Sequence, residues 1–426
     1  MSNERFQVIV VGAGLAGCSA AYRLAKAGYA VLLIERGKAA GAKNVSGGRI
    51  YSYALEALMP GEWHDAPLER QVAREMLMLM TDEGAVTVNS LFSQELQAAS
   101  YTVLRSKLDD WMRKKAEEAG AMVITGVSVT QIIMKGGKAC GVLAGDEELE
   151  ADIVICADGA NSLLAAGFAG KVSTETAALG VKMVVGVPEQ DIQDRFNLAK
   201  GQGAACLMVG GCTKGLAGGG FLYTNKESVS LGIVVDSAAL KGSQVRVVDL
   251  IEQLPLHPAI APLVKGGQLL EYSAHLIPEG GIGMLPTLYG DGFMIVGDAA
   301  GLVVNSGATV RGMDYAILSG IFAAETAGKS IAAENFSASE LKHYEVMLRQ
   351  QVIKDMKTFK NVHAFMKSTP GLYTTYPEMA ESIFKNIFTV DGRPARRISK
   401  VILESVRRHC SFWQLIKDSI KGGSAL

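Results

Sequence analysis

Residues 6–35 read FQVIVVGAGLAGCSAAYRLAKAGYAVLLIE. Phe6 to Val11 is a short apolar, β-branched run of strand type, and Leu15 to Lys26 is alanine-rich and reads as a helix. Gly28 supplies the helix stop, and Ala30 to Ile34 is a second strand. Between the first strand and the helix stand Gly12-Ala13-Gly14-Leu15-Ala16-Gly17. Gly12 permits the tight turn, Gly14 lets a pyrophosphate approach the backbone, and Gly17 lets the helix pack closely on the strand. The free N–H groups and positive dipole end of the helix then hold the phosphates. Glu35 ends the second strand, where a carboxylate accepts hydrogen bonds from a ribose; Arg36, next to it, belongs to the same candidate site. A bare GxGxxG carries little weight. With strand, helix and acidic residue in register, the unit is the βαβ opening of a doubly wound sheet that binds a dinucleotide.

The bulk numbers fit such a chain. Its 426 residues allow two or three domains, and 49% hydrophobic against 20% charged residues is an ordinary globular balance. A formal net charge of −1 gives no reason to expect nucleic acid or a polyanion as partner. The start, MSNERFQ, lacks a signal-peptide pattern, and no apolar run is long enough to span a bilayer. Cys18, Cys140, Cys156, Cys206, Cys212 and Cys410 are scattered without CxxC spacing, which argues against a zinc or iron–sulfur framework and suits reduced thiols in a cytosol. The six histidines show no metal spacing and read as structural.

Outward from the opening, Ser106 to Glu118 has an amphipathic helical pattern, and strands around Ala121 to Met134 and Lys138 to Leu143 meet at the hairpin turn Gly136-Gly137. Asp152 to Cys156 is a short buried strand. From about Gly180 to His275 the pattern changes to short strands separated by turn residues (Val181 to Val187, Gly220 to Thr224, Ser228 to Val235), typical of an antiparallel sheet. A strand at Gly292 to Val296 returns to glycine-rich turn chemistry, a helix follows from Gly312 to Ala327, and the remainder is helical with turns near Pro370, Pro377 and Pro394. The expected architecture is α/β: a Rossmann-like doubly wound domain with an inserted antiparallel-sheet domain and a helical C-terminal region. The expected division is 1–179 and 276–335 for the dinucleotide domain, 180–275 for the inserted sheet domain, and 336–426 for the helical region.

The fingerprint alone does not separate NAD from FAD. Gly297-Asp298-Ala299-Ala300-Gly301 does, because it follows an apolar strand and precedes a helix. A carboxylate there can bond ribityl hydroxyls that FAD has and NAD lacks, and the flanking glycines open backbone amides to phosphate. A third segment, Cys156-Ala157-Asp158-Gly159, ends a strand with small residues beside the bound cofactor. Arg105, ahead of the Ser106 helix, is a candidate phosphate or ribityl partner, or equally a surface cation.

These motifs together resemble the two-domain flavoproteins that include aromatic hydroxylases and geranylgeranyl reductases. More closely, the chain resembles the electron transfer flavoprotein–quinone oxidoreductase family, in its short bacterial FixC-like branch. The likeness rests on AKNVSGGR at 42–49, LIPEGG at 276–281 and VGDAAGLVVNSGATVRGMD at 296–314. The resemblance implies that the Lys43–Arg49 loop, with Asn44 and Gly47, and the Gly307–Met313 turn, with Gly312, lie against the isoalloxazine. It also implies electron flow from a reduced electron transfer flavoprotein toward quinone. Full-length members carry a [4Fe–4S] cluster in a C-terminal extension; here Cys410 stands alone in that half of the chain. The resemblance therefore assigns the cluster to a separate ferredoxin-like protein. The alternatives are an NAD(P)H-dependent hydroxylase or polyprenyl reductase of the same fold, and a flavin-binding protein that turns nothing over. Arg396 to Lys421 is basic, with Ile398, Ile402, Val406, Trp413, Ile416 and Ile420 near one helical face. That pattern suits a helix on the inner membrane surface, a helix packed on its own core, or the dock of an acidic ferredoxin.

Overall fold

Val8 to Val11 is apolar on both faces, and a strand of that kind needs a layer above and a layer below it. The computed structural model, which describes residues 5–41, 47–92, 99–162, 164, 177–279 and 281–425, supplies both. The chain begins with β1 (Phe6–Val11), α1 (Leu15–Lys26), β2 (Val31–Glu35), β3 (Gly48–Tyr51), α2 (Ser52–Leu58) and β4 (Leu68–Met80). It continues with β5 (Ala85–Leu91), β6 (Ser100–Val103), α3 (Arg105–Glu118), β7 (Met122–Thr125), β8 (Val129–Lys135), β9 (Lys138–Ala144) and β10 (Glu147–Cys156). The middle of the chain holds β11 (Ala177–Gly186), α4 (Glu189–Phe196), β12 (Gln202–Gly210), β13 (Gly218–Thr224) and β14 (Ser228–Asp236). After the short helices α5 (Ser237–Lys241), α6 (Val247–Gln253) and α7 (Ala261–Val264) comes β15 (Gln268–Pro278). The return segment is β16 (Tyr289–Gly290), β17 (Phe293–Ile295), β18 (Val304–Asn305), β19 (Val310–Arg311) and α8 (Met313–Ala332). The C-terminal region comprises α9 (Ala338–Gln350), α10 (Val352–Thr358), α11 (Val362–Ser368), α12 (Thr375–Phe388), α13 (Ile398–His409) and α14 (Phe412–Ala425).

β1 lies at the centre of a parallel sheet in the order β17-β10-β1-β2-β7. Val11 is paired with both Ile34 and Cys156, and Cys156 with Ile295. The register thus delivers Gly12, Arg36, Ala157 and Gly297 to one edge, the carboxyl ends where open α/β sheets bind ligands. On one face α1 and α8 cross closely: a Cβ on Gly320 would lie 2.3 Å from the Ala16 carbonyl oxygen. β8 and β9 form the expected hairpin, with Gly136 and Gly137 both at positive φ.

The second sheet has nine strands in the order β15-β11-β14-β13-β12-β4-β6-β3, with β5 on β4. All its pairings are antiparallel except β12 with β4. It therefore differs from a sheet drawn from residues 180–275 alone, since β3 to β6 come from residues 48–103 and β15 runs on to Pro278. The reason is visible in β4, whose charged sequence LERQVARE forms a strand that buries Glu69, Arg70 and Ala73. Arg70 is fully buried because its guanidinium donates to the carbonyls of Asn225, Gln202 and Lys226 at 2.6, 3.0 and 3.0 Å, stitching β4 to the β13–β14 turn and to β12. Pro377, expected at a turn, lies in the first turn of α12, where its missing N–H costs no helical bond.

Candidate active site

A cavity of about 820 Å³ opens between the edge of the parallel sheet and the face of the second sheet. On the parallel-sheet side its wall is made by Gly12, Gly14, Glu35, Arg36, Asp158, Gly159, Gly297 and Asp298. Gly12 has φ +104°, and a Cβ there would lie 2.3 Å from the Ala157 carbonyl oxygen, so the turn admits only glycine. Gly17 sits behind the turn, where a Cβ would fall 1.9 Å from the Gly12 carbonyl oxygen. Ala13 N donates to Glu35 Oε2 at 2.9 Å and Gly37 N to Oε1 at 2.6 Å, which aims the carboxylate at the cavity from the end of β2. α1 begins with no side-chain cap and no acidic residue in its first turn, leaving its amides open to an anion. Asp158 accepts from Ser162 Oγ at 2.6 Å and Leu164 N at 3.3 Å. Gly301, at φ +67°, closes the short turn that presents Asp298.

Arg105 and Arg49 reach the cavity already paired. Arg105, the first residue of α3 rather than a residue before it, makes a two-pronged contact with buried Asp109 at 2.8 and 2.9 Å. Arg49 is held by Glu75 and donates to Ser100 Oγ at 2.9 Å. Lys43 and Asn44 lie outside the described residues. Gly47 and Gly48 follow them in the sequence, and a Cβ on Gly48 would meet Met313 Cε at 2.9 Å.

Gly307, Gly312 and Met313 complete the near end. Behind them Arg311 acts as a hub. It donates to Asp314 Oδ2 at 2.6 and 2.8 Å, to Asp355 Oδ2 at 2.9 Å and to Tyr53 OH at 2.7 Å, with the Tyr315 ring 4.3 Å from its Cζ. This pins the 307–313 turn onto the start of α8.

The opposite wall is the second sheet, and here lie residues that sequence reasoning passed over. The tip of the Phe221 ring covers Gly232, where a Cβ would fall 2.0 Å from it, and the ring stacks with Tyr223 at 5.0 Å. Lys182 stands beside them, its Nζ 5.2 Å from the Phe221 ring centre and 3.3 Å from the Gly47 carbonyl oxygen it donates to. Burial pushes the Lys182 ammonium down to about 8; the charge of Arg105 acts in the same direction, while Glu271 and Asp298 oppose it. Burial also lowers His275, with Lys182, Arg105 and Arg36 adding to the effect and Asp298 opposing it. The signal was present in the sequence as a lone lysine in the apolar run GVKMVVGV. Among the described residues no group of three or more His, Cys, Asp or Glu is placed to hold a metal ion.

A depressed Lys182 exposes its neutral amine at lower pH than an ordinary lysine. In cofactor-free protein, acetylation at Lys182 should therefore rise through about pH 8, read peptide by peptide by mass spectrometry, while surface lysines follow near 10.4. A Lys182 profile superimposed on that of the surface lysines contradicts this electrostatic reading.

Comparison with known proteins agrees with this geometry. Residues 7–87 match the model for FAD dependent oxidoreductases, and residues 362–426 match the C-terminal domain of the ETF-QO/FixC family. Over the whole of both chains this protein is 47% identical to the probable electron transfer flavoprotein-quinone oxidoreductase YdiS of Escherichia coli K12 and 46% identical to protein FixC of Salmonella typhi. Among solved structures, the fold is shared with a geranylgeranyl bacteriochlorophyll reductase-like protein of Thermoplasma acidophilum, at 19% identity and a TM-score of 0.73 over 98% of this chain and 99% of that one. The flavin-dependent brominase Bmp2 shares it at 16% identity and a TM-score of 0.64, over 99% of this chain and 98% of that one. The chain is an FAD-dependent oxidoreductase that belongs to the electron transfer flavoprotein–quinone oxidoreductase/FixC family.

Proposed function

We propose that the protein takes electrons from a reduced electron transfer flavoprotein into its FAD and passes them to a quinone and to a ferredoxin-like partner. The observation that carries this reading is the likeness to YdiS over the full length of both chains. Among the described residues there is one dinucleotide-type parallel sheet, which leaves no dedicated NAD(P)H domain among them. The relatives' names favour it over the small-molecule alternative. With only Cys410 in the last two hundred residues, this chain leaves the iron–sulfur cluster to the partner.

In this reading Gly12, Ala13, Gly14 and the start of α1 hold the pyrophosphate, and Glu35, with Arg36 beside it, takes the adenosine ribose. Asp298, Arg105 and the Gly297–Gly301 turn hold the ribityl and phosphate groups, with Asp158 and Gly159 alongside. Gly47, Arg49, Gly307, Gly312 and Met313 border the isoalloxazine. The cavity fits such an occupant, because the glycine contacts at Gly12 and Gly297 leave the turn amides free of side chains. FAD supplies the two-electron chemistry, and the protein's part is to bind, orient and set potential. The start of α8, presented by the Arg311 hub, stabilises negative charge beside the 307–313 turn.

The C-terminal helices add a membrane-facing surface. Phe388, Val390, Trp413 and Ile420 are 77%, 93%, 77% and 68% exposed, amid exposed Arg393, Arg397, Lys400, Arg407, Arg408 and Lys417. The face expected either on a core or at a membrane surface turns only Val406 inward strongly. An aliphatic and aromatic crest flanked by cations suits an anionic lipid surface better than a soluble partner's polar rim. No helix among the described residues is long and apolar enough to cross a membrane, so the contact is peripheral.

Two measurements check this reading. Mixed anaerobically, reduced electron transfer flavoprotein should bleach the FAD-loaded protein promptly, while NADH and NADPH leave its flavin bands standing; prompt bleaching by either nicotinamide moves the function to small-molecule reduction. In a sedimentation assay the protein should pellet with phosphatidylglycerol vesicles and not with neutral ones. The double variant Phe388→Ser/Trp413→Ser should lose most of that binding; equal recovery on both vesicle types overturns the membrane contact.

A further inference from the structure

The cavity continues along the second sheet away from the dinucleotide edge. Three rows of paired residues cross its floor: Lys182–Gly232–Phe221, then Gly180–Val234–Gly219, then Ala178 with Asp236, whose N–H donates to the Ala217 carbonyl at 2.9 Å. From the first row to the last is four residues along a strand, roughly 13 Å. The near end carries cations, Lys182 and Arg105. The far end carries Asp236, Glu279, His363, Lys367 and Tyr373, brought together by β14, the end of β15, α11 and the turn after it.

This far end is incompletely paired. Asp236 is 5% exposed. Its Oδ1 caps α5 through Ala239 N at 2.8 Å, but Oδ2 accepts no hydrogen bond, and Lys367 Nζ stands 3.6 Å away. Glu279 is half-buried, and no described residue donates to its carboxyl group. Tyr373 spends its hydroxyl on the Met366 carbonyl at 3.3 Å. Burial pushes Glu279 up to about 7, and Asp236 adds to the shift. Burial lowers His363, with Asp236 opposing and Lys367 assisting. Placing the Glu279 carboxyl in a cavity wall without a donor, close to an Asp236 whose Oδ2 is unpaired, is costly, and no packing or capping role requires Glu279 to be ionisable.

We propose that this far end is the acceptor lobe of the cavity, where the Glu279 carboxyl donates a proton to a carbonyl oxygen of a quinone while Asp236 keeps that proton available. The proposal rests on the quinone reading above. Reduction of a quinone to hydroquinone consumes two electrons and two protons. The electrons come from the reduced cofactor. Glu279 gives one proton, its O–H bond breaking as the new O–H bond forms, and is left a carboxylate. The second proton comes from solvent, which afterwards returns one to Glu279. His363 and Lys367 on α11 and Tyr373 beyond it are the titratable groups that face this exchange.

The test uses the full-length FAD-loaded protein, reduced with dithionite and mixed anaerobically with decylubiquinone, with flavin re-oxidation followed by stopped flow across pH. Because the protonated carboxyl is the donor, the wild-type rate should fall as pH rises through about 7. Glu279→Gln should slow this reaction about 10²-fold and lose the pH inflection. Ferricenium, which takes electrons without protons, should re-oxidise both proteins alike. Asp236→Asn removes a neighbouring negative charge and should move the inflection to lower pH; this keeps the test open if Glu279→Gln loses its flavin. An unchanged rate and profile in Glu279→Gln, or an unmoved inflection in Asp236→Asn, overturns the proton role while leaving the quinone reading intact. A wild-type protein that decylubiquinone fails to re-oxidise at any pH overturns the quinone reading itself.

Discussion

The turn from β1 into α1 closes on a contact that only glycine permits. At Gly12 the chain turns with φ +104° against the Ala157 carbonyl, and Gly17 lets α1 settle onto the same turn. That approach sets the spacing between β1 and β10 at their carboxyl ends, which in turn places Asp158, Gly297 and Asp298 around one opening. Gly320 repeats the device one layer out, bringing α8 against α1. A methyl group at either turn glycine would push the strand ends apart and spoil the edge on which the cofactor chemistry depends.

With that edge built, the second sheet forms the opposite wall of the cavity. Its floor is bare at Gly180, Gly219 and Gly220 and aromatic at Phe221 and Tyr223, a surface suited to planar rings. Charge is divided along it, with Lys182 and Arg105 near the dinucleotide edge and the Asp236–Glu279 pair at the far end. Electron transfer through a flavin needs no side-chain nucleophile, so the functional weight falls on residues that hold, polarise or exchange protons.

How much of this was legible in the sequence depended on whether a residue's neighbours in the chain were also its neighbours in space. The opening βαβ unit is local, and helix α1 begins and ends where the pattern places it, with Gly28 at positive φ as its stop. Strand β10 and the turn after Ile295 were also readable, because each combines an apolar run with an adjacent glycine turn. β4 was not, because its Arg70 is buried by carbonyls from residues well over a hundred positions away. Glu279 stood in view within LIPEGG, but nothing local shows that Asp236 and α11 close around it. The C-terminal helices were seen as amphipathic; whether the apolar face met core or solvent is a tertiary fact, and the exposure of Trp413 and Ile420 is what distinguishes them.

The central claim is that one FAD molecule is held at once by three distant segments of the chain. Amide hydrogen exchange with and without FAD tests it most directly. The account predicts slowed exchange on FAD binding in 12–17, 297–301 and 307–313 together, with the outer strand β5 unchanged. Stoichiometric FAD binding that leaves any of the three segments unprotected would contradict it.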